Sequence, residues 1–180
     1  MPLHKALPMV LMRGWLRAKG DGVERALIAQ FNEAEHQTYA SLVATAWVPS
    51  EFVTKFYLLA APLLYPNEPR PLRLVGADVA KENFKGVFRF VLRIVSVETL
   101  IEKTGMLWGS FHDEGQARVT REGTHAVRFE VRDYANFPEP IREATAGWIA
   151  QAIELTGAKD VRVTRTGFDG DGFAWMIHWR

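Results

Sequence analysis

Apolar and polar positions first change rhythm along this chain at Gly115, from helical spacing before it to alternation after it. Val23, Leu27, Phe31, Ala34, Leu42 and Val43 fall near one stripe with Glu24, Glu33 and Glu35 outside it, which predicts an amphipathic helix over 23–46. Ser50, after Pro49, is placed to cap a second helix whose apolar residues, Phe52, Val53, Phe56, Leu59 and Leu63, run nearly all round it, as in a buried helix. Pro62, Pro66, Pro69 and Pro71 then predict a loop, because each lacks an amide donor and biases the residue before it away from the helical region. A third helix begins at about Asp78, with Val79, Phe84, Val87, Phe88, Val91, Leu92 and Val95 at helical spacing. Ser96 caps a fourth, with Leu100, Ile101, Thr104, Leu107, Trp108 and Phe111 on its apolar side.

Beyond Gly115, Ala117 and Val119, then Val127, Phe129 and Val131 opposite Arg128, Glu130 and Arg132, predict two strands turning at Glu122-Gly123. Residues 138–156 return to helix through Ile141, Trp148, Ala152 and Leu155, with Gly157 as the stop. A last hairpin joins Val161–Arg165 to Phe173, Trp175, Ile177 and Trp179 across an Asp/Gly turn. That turn, Asp169-x-Asp171-Gly172, has the opening of a calcium loop but not its continuation. Phe173 stands at the fifth position, Ala174 at the sixth and the cation Arg180 at the twelfth, so no metal site is expected there. The expected fold class is α+β: N-terminal helices followed by β-β-α-β-β, an antiparallel sheet packed against helices, in one domain over 1–180.

Composition narrows the function classes. The 180 residues are 48% hydrophobic and 24% charged, enough for a substantial core, and the net charge of +1 argues against a nucleic-acid surface as the main purpose. The chain has no cysteine, so disulfides, thiol nucleophiles and thiolate-ligated metals are excluded. Its first residues, MPLHKALPMVLMRG, hold only a short apolar stretch broken by Arg13, which reads as neither export signal nor membrane span and predicts a cytoplasmic protein.

Candidate chemistry is sparse. His4, His36, His112, His125 and His178 form no HExxH or HxH spacing, and His112-Asp113-Glu114 reads as a solvated helix end. No GxSxG elbow, GxGxxG or phosphate loop occurs, so no catalytic residue is expected and the chain reads as a non-enzyme. The informative excess is six tryptophans and eleven phenylalanines, since a pocket for an apolar ligand needs apolar walls. Phe56, Phe84, Phe88, Trp108 and Trp148 are the expected lining of such a pocket. Arg13, Trp15, Lys85, Arg89 and Arg93 could anchor the polar end of an anionic amphipath.

The same element order, with the segments RGWLRAKGD, AWVPSEFVTKFYLLAA, VGADVAKENFKGVFRFVL, LWGSFHDEGQARV and AGWIAQAIELTGAKDVRV, resembles the superfamily uniting heme-nitric-oxide-binding domains, 4-vinyl-reductase domains and TRAPP vesicle-tethering subunits. These segments look like an uncharacterised bacterial branch of it. The resemblance implies an apolar cavity between helices and sheet, or a helical dimer face as in TRAPP subunits. Heme-binding members use a proximal His and a Tyr-x-Ser-x-Arg clamp. The nearest stretch here, Tyr39-Ala40-Ser41-Leu42, lacks the Arg, so no cofactor is expected and heme is doubtful. The reading at this point is a non-catalytic cytoplasmic domain that senses a small hydrophobic ligand or docks a protein partner, as a homodimer. The alternatives are a tetrapyrrole-binding protein, an enzyme acting on a hydrophobic substrate, and a structural assembly subunit.

Overall fold

A computed structural model describes residues 1–85, 94–168 and 170–180. The chain opens with a short strand β1 (Leu3–Lys5) and helices α1 (Leu7–Ala18), α2 (Asp21–Ile28) and α3 (Glu33–Ala40). Strand β2 (Trp47–Pro49) pairs antiparallel with β1 and leads straight into α4 (Ser50–Leu64), followed by α5 (Pro71–Asn83) and α6 (Val97–Phe111). The rest is β3 (Gln116–Gly123), β4 (Ala126–Arg132), α7 (Glu139–Glu154), β5 (Arg162–Thr166) and β6 (Gly172–His178). The expected α+β class and the β-β-α-β-β ending are both present, the four strands forming one antiparallel sheet in the order β3-β4-β6-β5.

Local chemistry explains where the helices depart from the periodic pattern. The single helix expected over 23–46 is two, because Asn32 starts a new one: its side chain accepts from the Glu35 amide at 2.9 Å while the Glu35 carboxylate accepts from the Asn32 amide at 2.8 Å, the reciprocal capping box. Pro62 lies inside α4 rather than in a loop. The helix expected from Asp78 starts at Pro71, where a missing amide costs nothing because the first helical amides have no intrahelical partner. Phe88, Arg89, Arg93 and the apolar stripe around them lie outside the described residues, as does Asp169 in the Asp/Gly turn. Ser96 caps α6 as expected, its hydroxyl accepting from the Thr99 amide at 3.2 Å. The Gly157 backbone, at φ +102, follows α7.

One face of the sheet is core. Val127, Phe129, Val131, Phe173, Trp175 and Ile177 are all buried beneath α6 and α7. Helices α5 and α7 share the largest helix–helix interface among the described elements, and it depends on two glycines. A Cβ at Gly147 would sit 2.0 Å from the Arg73 carbonyl oxygen, and one at Gly76 would sit 1.8 Å from that of Ala144. Arg73 locks the same crossing, pairing with Glu143 at 2.8 Å and donating to the Val163 carbonyl at 3.1 Å. No described helix is long and apolar enough to cross a membrane.

Candidate functional site

Three features of the described molecule carry chemistry: a buried polar network, an aromatic interior and a surface cleft. The network forms where β1 crosses the end of α6. His4, 3% exposed, places its Nδ1 2.8 Å from His112 Nδ1. Its Nε2 lies 3.0 Å from the Ser50 hydroxyl and 3.1 Å from the Tyr134 hydroxyl. Around it, the Leu3 amide donates to Asp113 Oδ1 at 2.6 Å and the Asp113 amide to the Leu3 carbonyl at 3.2 Å. Gly115, at φ +84, turns the chain away from α6, and Val131 leaves no room there for a Cβ. This fixes the corner that carries His112 and Asp113.

Only one Nδ1 of the pair can carry the hydrogen between the rings, so both imidazoles are satisfied when both are neutral. Burial enforces that state. It lowers the His4 pKa to about 4, against a smaller opposing pull from Asp113, and holds His112 well below its ordinary range, with His4 adding to the effect. Ser50 and His4 have the residue types of a nucleophile and its base, with Ser50 at a strand-to-helix junction. Yet Ser50 is only 5% exposed and an imidazole stands where a carboxylate would orient the base. The chemistry it supports is a fixed latch between the N-terminal strand, α4 and α6. The sequence reading took His112 for a solvated helix end. It is instead half-buried and stacked on Trp108, ring centroids 3.9 Å apart, with a partner 108 residues away.

The aromatic interior continues from this latch. Trp108 stacks on His112 and reaches Phe129, Phe137 and Phe173, and its indole N–H donates to the Glu114 carbonyl at 3.0 Å. Between α6, α7 and β4 lies an apolar seam lined by Leu100, Ile101, Phe129, Trp148, Ile149 and Ala152, closed too tightly to admit a water molecule. Of the expected pocket residues, Trp148 lines this seam, Phe84 packs on Trp148 at 5.5 Å, and Trp108 touches it through Phe129. Phe56 lies apart, in the helical core with Tyr39, Phe52 and Tyr57. Two of the expected anchors are committed elsewhere: Arg13 donates to the Tyr39 and Leu42 carbonyls, both at 3.0 Å, and Lys85 pairs with Glu82.

A separate surface cleft of about 340 Å³ opens between α1, the end of α4 and α5, lined by Trp15, Lys19, Leu64, Tyr65, Asp78 and Lys81. Tyr65 donates to Asp78, which also pairs with Lys81 at 2.8 Å. Burial and the Asp78 carboxylate both raise the Tyr65 phenol above its ordinary range. No group of three or more metal-ligating side chains occurs among the described residues.

The architecture has solved counterparts. An H-NOX protein from S. oneidensis in its Fe(II)NO ligation state superposes with TM-score 0.70 at 10% identity, over 98% of this chain and 99% of that one. An Fe(II) unliganded H-NOX protein from K. algicida gives 0.63 at 9% identity, over 98% and 96%. A third structure, from work probing the function of heme distortion in the H-NOX family, gives 0.59 at 10% identity, over 97% and 94%. At such identities the likeness is one of fold. It overturns the expectation that the chain takes no cofactor: this architecture, over nearly its full length, is one that carries iron and heme in those proteins. Iron in heme is held by an axial His, Cys, Met or Tyr. Here His4 and His112 have the right donor chemistry, but their Nδ1 atoms face each other and neither lines the apolar seam. Neither is therefore placed as an axial ligand to a group held in that seam. No curated protein matches the chain. The family described as "protein of unknown function (DUF2378)" matches residues 11–180.

Proposed function

This chain belongs to the family described as protein of unknown function, DUF2378, and we propose that it acts as a ligand-sensing domain whose ligand is a flat apolar molecule of the tetrapyrrole class. The observation that carries this reading is the likeness to H-NOX proteins over 98% of the chain, joined to an interior that is aromatic where α6, α7 and the sheet meet. A ligand enters the seam when Trp148 and Phe84, both only half-buried and in contact with each other, swing outward from Ile149 and Ala152. Apolar walls with few polar groups suit such a molecule. The role is sensing rather than catalysis, because the Ser50–His4 pair is sealed from solvent. Expected locations and partners follow the same reading: a cytoplasmic domain that passes its ligand state to a protein partner, as a homodimer.

Absorption titrations with hemin and with iron-free protoporphyrin IX test the proposal together. Saturation by both at one equivalent, lost on replacing Trp148 and Ile149 with charged residues, supports an apolar seam site. Saturation by hemin alone, with a sharpened Soret band, would move the site to an iron ligand. Uptake of neither would overturn the reading.

A further inference from the structure

The sheet has a second face whose outer strands β3 and β5 are exposed, with the β5–β6 turn reaching over one end, where Arg128 donates to the Gly167 carbonyl at 2.6 Å. The strand register sets out its rows: Gln116, Arg132 and Gly172; Arg118, Glu130, Ala174 and Thr166; Thr120, Arg128, Met176 and Thr164; Ala126, His178 and Arg162. Four arginines and a histidine thus share the face with one carboxylate in the paired rows, in a chain whose total charge is only +1. Asp133 and Asp171 lie beyond the end of the sheet. The lone carboxylate is already engaged. Arg128 and Arg132 both donate to Glu130, at 2.6 and 3.0 Å, and these two arginines hold its carboxyl below the usual range.

Arg118 and Arg162 are exposed and make no ion pair or side-chain hydrogen bond with the described residues. They stand at opposite corners, three strands apart across the sheet and four residues apart along it. With about 4.8 Å between strands and about 3.4 Å per residue, the diagonal is about 20 Å. Between them lie Met176 and the Arg128–Glu130–Arg132 cluster, with Ala174 only 1% exposed, while Thr164 and Thr120 are short.

We propose that this face docks an acidic amphipathic helix of a partner protein, its carboxylates meeting Arg118 and Arg162 and its body crossing β4 and β6 between them. A helix is the layer that ordinarily covers an uncovered sheet face. One of about 13 residues spans the 20 Å diagonal at 1.5 Å per residue. Arginine forks suit carboxylates in a bidentate geometry. Single-stranded nucleic acid fits the face less well, since its rows carry no Phe, Tyr or Trp and offer only the His178 ring for a base to stack on. Phe168, beside them, lies under the Arg132 guanidinium at 6.0 Å. This surface is independent of the seam, so the ligand reading and the docking reading fail separately.

The test uses the full chain and a fluorescein-labelled helical peptide of Glu, Ala and Leu with its glutamates on one face. The isomer with Lys for Glu, oligo(dT) and phosphatidylserine vesicles serve as competing probes. Anisotropy should rise with the Glu peptide, the affinity should fall at least tenfold in R118E/R162E, and it should fall again with added salt. Hydrogen exchange should slow on β3 to β6 when the peptide is present, a readout that needs no variant. Equal binding of the Lys isomer, unchanged affinity in R118E/R162E, or tighter binding of oligo(dT) or vesicles than of the Glu peptide would each overturn the proposal.

Discussion

Lowering the pH from 7 to 5 should destabilise this protein through a residue that never sees solvent. His4 is neutral and 3% exposed in the folded chain, with its pKa lowered by burial from 6.5 to about 4. Between those two values the unfolded chain binds a proton that the folded chain refuses, so stability rises with pH across the window and falls as pH drops through it. The contribution is fully present above about 6.5 and exhausted near 4, where the folded form takes the proton as well. Integrated from pH 7 to pH 5, a shift of that size removes about 2 kcal/mol from His4 alone. His112, lowered by the same burial, adds a loss of the same sign. Glu24 and Glu130, held low by their arginine partners, lose their contribution only as pH falls below the ordinary carboxylate range, so the interval from 7 to 5 isolates the histidines. Urea titrations followed by tryptophan fluorescence at pH 7, 6 and 5 measure the slope, and H4Q supplies the comparison. Wild type should lose about 2 kcal/mol or more over the interval, and H4Q should lose correspondingly less. A wild-type stability that stays flat, or an H4Q slope equal to that of wild type, would refute the neutral-pair account.

Replacing Gly147 with Ala forces a Cβ to within 2.0 Å of a backbone oxygen and should cost about 1–3 kcal/mol or more in thermal or urea unfolding. Gly14, with nothing within 4 Å of its missing Cβ, should behave oppositely, G14A raising stability by about 0.5–1 kcal/mol in the same assay. Loss of the Asn32 cap in N32A should cost about 1 kcal/mol, because the Glu35 amide loses the Asn32 side-chain oxygen that accepts from it. Equal unfolding midpoints for G14A and G147A would contradict the close-approach explanation of the α5–α7 crossing.

The second half of the fold was legible because its signals are local. Alternation in Val127–Arg132 and in Phe173–Trp179, the Ser96 cap and Gly157 each act over a few residues, and the sheet formed as they imply. The first half was less so. The pattern from Val23 to Val43 stays apolar at helical spacing through the break at Asn32, and only the Asn32/Glu35 pair, three residues apart, marks a new start. The latch was illegible for another reason: His4 and His112 become chemically interesting only when β1 brings them together across 108 positions, and neither neighbourhood in sequence carries a spacing that announces it. Ser50, at its strand-to-helix junction, read as a cap, but its hydroxyl lies against His4. The aromatic excess was a sound guide to the interior but not to one pocket, since Phe56 and Trp148 serve different packing clusters. Cofactor chemistry could not be read from the missing Tyr-x-Ser-x-Arg clamp, because the likeness to H-NOX proteins lies in the fold at about a tenth of identical residues.

Native mass spectrometry of the freshly purified chain, with an absorption spectrum of the same sample and again after incubation with protoporphyrin IX, addresses the ligand-sensing claim most directly. The account predicts one small apolar molecule per chain, either carried through purification or taken up from the added porphyrin, and its displacement when the seam is blocked at Trp148 and Ile149. A chain that stays at its bare mass in every sample, porphyrin included, would contradict it.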